Sequence, residues 1–122
     1  MKTNITYVTD IVMVTCIVNH GSGEKVVSLG REVGVSGEVI FNARGGGLRE
    51  RLGLWGIALE ADKDVVMLLT SVENRDLLIY HLYTKLGLDR AGAGIVYATA
   101  LDKTAAYLPE EMLKALEKEG SQ

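Results

Sequence analysis

The sequence predicts a mixed α/β (α+β) domain whose elements run β-α-β-β-α-β, with an extra C-terminal helix. Three observations predict it. Two β-branched, apolar runs, Ile11-Val12-Met13-Val14-Thr15-Cys16-Ile17-Val18 and Val65-Val66-Met67-Leu68-Leu69-Thr70-Ser71-Val72, read as strands. Each is followed by a stretch with apolar residues at helical spacing that ends on glycine. A chain of 122 residues is also the usual size of one domain, so residues 1–122 are expected to form a single unit with its core at about 11–107.

The elements follow in order. The first strand closes at the breaker His20-Gly21-Ser22-Gly23. In the helix at 24–33, Val26, Leu29, Gly30 and Val33 share one face; Ser22 can cap its start, Glu24 suits the positive end of its dipole, and Gly34 ends it. Residues 38–43, Glu-Val-Ile-Phe-Asn-Ala, read as the second strand, and Leu48 to Leu52 as one or two helical turns. The second helix is expected at about 74–86, with Leu78, Ile79, Leu82, Tyr83 and Leu86 as its apolar stripe and Gly87 as its stop. The last strand is expected at 95–101. Pro109-Glu110-Glu111 opens a final helix at about 109–119, with proline pre-set for the first turn. This order is the ferredoxin-like split βαβ sandwich.

Composition excludes several functions. A net charge of −3 and only seven aromatic residues argue against nucleic-acid binding, which wants a basic face and stacking platforms. Cys16 lies inside an apolar run and reads as a small buried hydrophobe; one thiol suits a reducing, cytoplasmic setting. His20, His81 and Cys16 lack metal-ligand spacing, so no metal site is expected. Ser22 lacks the flanking pattern of a nucleophile loop, and no catalytic residue is assigned.

Strand direction suggests a site. If the first strand ends at the top, the second strand also ends there and the fourth begins there. Three glycine-dense loops then share one edge: 20–23, 44–47 and 90–94. Four of the six arginines, Arg44, Arg49, Arg51 and Arg90, flank these loops. Glycine frees backbone N–H groups for close approach, so the edge is expected to bind an anion through Arg44, Gly45, Gly46, Gly47, Arg90, Gly92, Ala93 and Gly94. Arg49, Arg51 and Trp55 are candidates for contact with a partner protein. Both strand runs are apolar at nearly every position, so the sheet face opposite the helices also needs a cover; a second subunit is the simplest one, and the N-terminal segment or the final helix the alternative.

Several residues now match a known family. Val33-Gly34-Val35-Ser36-Gly37, the spacing onward to Gly45 and Gly47, and Gly92-Ala93-Gly94-Ile95-Val96-Tyr97 resemble motifs of the PII nitrogen regulatory proteins. The resemblance covers roughly 11–107. It implies a cytoplasmic homotrimer that binds an adenine nucleotide (AMP, ADP or ATP) between subunits, requires no cofactor and regulates a membrane transporter or an enzyme. The chain departs from the family at Ile95, where a phosphate-holding lysine is usual, and at Ala106 and Leu108, near where two arginines are usual. The family's long T-loop is not recognisable, and Leu48 to Leu52 stands in its place. The chain is therefore identified as a divergent, PII-like member, a ligand-sensing regulator and not an enzyme. The alternatives are a small phosphotransfer or phosphatase enzyme and a metal- or amino-acid-binding trimer of similar architecture.

Overall fold

The two apolar runs lie side by side at the centre of one sheet. In the computed structural model, which describes residues 5, 7–35, 37–43 and 62–105, the elements in chain order are β1 (Tyr7–Val8), β2 (Ile11–Asn19), α1 (Gly23–Glu32), β3 (Glu38–Ala43), β4 (Lys63–Ser71), α2 (Val72–Leu86), β5 (Gly94–Leu101) and β6 (Thr104–Ala105). The main sheet has the strand order β3-β4-β2-β5, antiparallel throughout, and β1 pairs with β6 in a separate short ribbon that the sequence did not suggest. This is the ferredoxin-like arrangement, with the expected order of elements. The expected helix at 109–119 and the turns at 48–52 fall outside the described residues.

Alternation along the strands separates two faces. Val12, Val14, Cys16 and Val18 of β2 join Val66 and Leu68 of β4, and pack against Val26, Val27 and Leu29 of α1 and Leu78 and Leu82 of α2. This is the main core. Burial pushes the Cys16 thiol up to about 12, so it stays protonated and inert as the sequence suggested. On the opposite face Ile17 and Val65 are buried with Ala43, Ile95 and Tyr97 against them. Val39, Phe41 and Leu69 on that same face are 54%, 46% and 49% exposed. The face is apolar, as expected, and only part of it is covered.

The helix ends differ from the expectation in instructive ways. Ser22 occupies the cap position of α1 but makes no side-chain cap bond. Its backbone is helical (φ −96, ψ −2) where a capping residue is usually extended, and Asp64 takes over the work. At α2 the cap is Ser71, with extended backbone and an Oγ that accepts from the Asn74 N–H at 3.2 Å. The helix therefore starts at Val72, two residues earlier than its periodicity implied. Asn74 then donates to Val33 O at 3.1 Å and to Thr70 Oγ1 at 3.0 Å, tying the start of α2 to the end of α1. Gly87 closes α2 in the left-handed conformation (φ 63). Tyr83, read as part of the apolar stripe, is exposed. His81 has its Nε2 2.8 Å from Glu32 Oε2 and bridges the two helices.

The caps give a paired prediction. Ser71→Ala should cost about 1 kcal/mol of stability, whereas Ser22→Ala should change it by less than about 0.5 kcal/mol. Urea unfolding of both variants checks this; equal losses would mean that Ser22 does cap α1.

Candidate functional site

Strand register fixes what stands along the top rim of the sheet. Ala43 is opposite Lys63, Lys63 is opposite Asn19, and Val18 is opposite Gly94. The rim thus reads Ala43, Lys63, Asn19, Gly94. The three loops expected to share one edge do leave from it. However, the two that carry the proposed ligand residues are rooted on the two outer strands, β3 and β5. With neighbouring strands about 4.8 Å apart, these roots stand about 14 Å from each other.

Of the expected ligand residues, Arg44, Gly45, Gly46 and Gly47 lie outside the described residues, as do Arg49, Arg51 and Trp55. Arg90, Gly92, Ala93 and Gly94 are described. Arg90 folds back over the end of α2, its Nε donating to Gly87 O at 3.1 Å and an Nη to Leu86 O at 3.4 Å. Its side chain binds the carbonyls at the end of α2, with further N–H donors left over. Gly92 (φ 76) has open space where a side chain would stand, and Ala93 is half-buried against the main core. Gly94 (φ 138) has a packing reason of its own: a Cβ there would come to 2.4 Å from the carbonyl oxygen of Ile17 on β2.

Between the two roots stands a polar group that the sequence reading passed over. Asp64, only 8% exposed, points to the helix side. Its Oδ2 accepts from the N–H groups of Gly21 at 2.9 Å and Gly23 at 3.0 Å, and its Oδ1 is 3.0 Å from His20 Nδ1. Asn42 donates from Nδ2 to Lys63 O at 3.2 Å and lies 2.8 Å from the same ring nitrogen of His20. Burial works to raise the Asp64 carboxyl. Hydrogen bonds from Gly23 N–H, His20, Gly21 N–H and Asn42 outweigh it and hold the group below its ordinary value. The positive end of α1 is thus occupied by the chain's own carboxylate. Lys63, also buried, reaches the opposite face and donates from Nζ to Asn19 Oδ1 at 2.6 Å. The signal for both residues was present in the sequence. Asp62-Lys63-Asp64 is a charged triplet directly before an apolar strand, and strand alternation sends the last two to opposite faces. Among the described residues no group of three or more His, Cys, Asp or Glu side chains could hold a metal ion.

Comparison with solved structures settles the architecture. Arabidopsis thaliana PII bound to citrate superposes with a TM-score of 0.59 at 15% identity, over 77% of this chain and 79% of that one. The B. subtilis GlnK–ATP complex gives 0.56 at 13% identity, over 75% and 81%. The fold is that of the PII proteins. No protein-family profile matches the chain, and no curated protein does. The PII resemblance read from Val33-Gly34 and from Gly92-Ala93-Gly94 is borne out as a resemblance of fold. Gly34 follows Val33, the C-cap of α1, and Gly94 opens β5, so these two motif glycines fall where one element gives way to the next. Among the described residues no helix is long and apolar enough to cross a membrane.

Proposed function

We propose that this chain is a PII-like regulatory protein that binds a small anionic effector, an adenine nucleotide, between subunits at the top rim and controls a partner protein without itself catalysing a reaction. The observation that carries the reading is the convergence of glycine-rich connections on one rim of a PII fold. Two solved proteins of that fold were captured with anionic ligands, citrate in one and ATP in the other. The ligand residues are Arg44 to Gly47 from the β3 side and Arg90, Gly92, Ala93 and Gly94 from the β5 side. The exposed apolar residues Val39, Phe41 and Leu69 support a homotrimer in which a neighbouring subunit covers the open face. Arg49, Arg51 and Trp55 would then meet the regulated transporter or enzyme in the cytoplasm.

Calorimetry with AMP, ADP and ATP tests the reading, with light scattering to report the oligomer. One nucleotide should bind at sub-millimolar concentration. Arg90→Ala should weaken it about tenfold while leaving the oligomer intact, as expected for loss of one charge-assisted contact. No binding by any of the three, or a stable monomer, would sink the proposal.

A second reading, a phosphotransfer or phosphatase enzyme, is favoured by one observation: His20 sits beside Asp64 through Nδ1 while 64% of its side chain stays exposed. Turnover of a phosphoester that His20→Ala abolishes would establish it.

A further inference from the structure

We propose a second anion site beside the rim site, which shares Arg90 and Ala93 with it and adds Ser22 and Lys25. It is a small polar cleft between the start of α1 and the end of α2 that holds one phosphate-sized oxyanion. The cleft measures about 180 Å³, and its walls include Ser22, Lys25, Leu86, Arg90 and Ala93. Sites for drug-sized ligands run to roughly 300–1,000 Å³. The volume therefore suits a single phosphoryl group.

The chemistry of the walls agrees with an anion. Two cations reach the cleft from different elements, Lys25 from the first turn of α1 and Arg90 from the segment after α2, and no carboxylate lines it. Among the described residues no hydrogen bond or ion pair engages Lys25. Arg90 is held in place by its bonds to Gly87 O and Leu86 O, which occupy two of its five N–H donors. A guanidinium fixed by two bonds loses little freedom when the others take up an oxyanion. The Ser22 hydroxyl, released from capping, adds a third donor. Asp64 already occupies the Gly21 and Gly23 N–H groups. The cleft therefore depends on side chains and not on the helix terminus. Arg90 and Ala93 serve both readings, whereas Lys25 and Ser22 have no part in the rim reading, so variants of these two residues tell the sites apart.

The test is an NMR titration of the full-length, ¹⁵N-labelled protein with inorganic phosphate and, in a second arm, methyl phosphate, at fixed ionic strength against chloride. Saturable shifts are expected at Ser22, Lys25, Arg90 and Ala93. Lys25→Gln should weaken phosphate binding at least about fivefold, and Ser22→Ala should weaken it less. Tighter binding in one arm tells free phosphate from a phosphomonoester as the natural ligand. Adenine-nucleotide affinity should be unchanged in Lys25→Gln. Shifts that fail to saturate, shifts reproduced by chloride, or wild-type phosphate binding in Lys25→Gln would overturn the site. Loss of nucleotide binding in Lys25→Gln would show one site where two are proposed. Phosphate binding without any nucleotide binding would uphold this site and remove the rim reading alone.

Discussion

Replacing Gly94 with alanine is expected to destabilise the protein by about 3–4 kcal/mol, since a strained backbone and an overpacked contact each cost about 1–3 kcal/mol. Both terms act here. Gly94 has φ 138, a region L side chains rarely adopt, and its Cβ would stand 2.4 Å from Ile17 O and 3.3 Å from Val18 Cγ1. The carbonyl belongs to the central strand β2 and cannot move without disturbing its pairing with β4 on the other side. The neighbouring glycine is the control. Gly92→Ala meets no atom within 4 Å and carries only the cost of φ 76, about 1 kcal/mol. Urea unfolding of the two variants should separate them by at least about 2 kcal/mol. Similar losses would mean that β5 can shift away from β2 and that Gly94 has no special place in the sheet.

Asp64→Ala is expected to cost about 1–3 kcal/mol, because it leaves the buried Gly23 N–H without an acceptor and the more exposed Gly21 N–H to water. The loss should depend on pH in a definite direction. The folded carboxyl is held below its ordinary value, so in acid the unfolded chain binds the proton more readily. Its contribution is complete above the ordinary aspartate value of about 3.9 and fades as pH falls through the lower folded value. Asp64→Asn should therefore flatten the acid limb of the stability profile while remaining folded at neutral pH. An acid limb identical to that of the unaltered protein would show that another carboxylate governs it.

Residue pattern revealed the elements because burial on both faces leaves the same mark wherever it occurs. Ile11 to Val18 and Val65 to Leu69 could only be central strands, and the glycines at 34 and 87 could only close helices. Capping was less legible. Ser22 has the right residue type at the right place, yet the acceptor for α1 comes from Asp64, more than forty positions away and on another strand. Local reading has no access to such a partner. Val72 was misplaced for a related reason: its β-branch favours a strand, but Ser71 and Asn74 start the helix before it. The rim was legible in its parts and not in its width. Loop order says which connections share an edge, but only strand order shows that β3 and β5 stand at its two ends.

The position of β3 has a colloidal consequence. Val39, Ile40 and Phe41 follow one another, all partly exposed, on an outer strand of the sheet. An exposed apolar edge strand is a template for adding a strand from another chain. A net charge of −3 over 122 residues offers little repulsion to oppose such encounters. In the proposed trimer, the surface that closes over β3 would therefore keep the chain in solution as well as in shape, and the lone subunit would be the species most prone to precipitate.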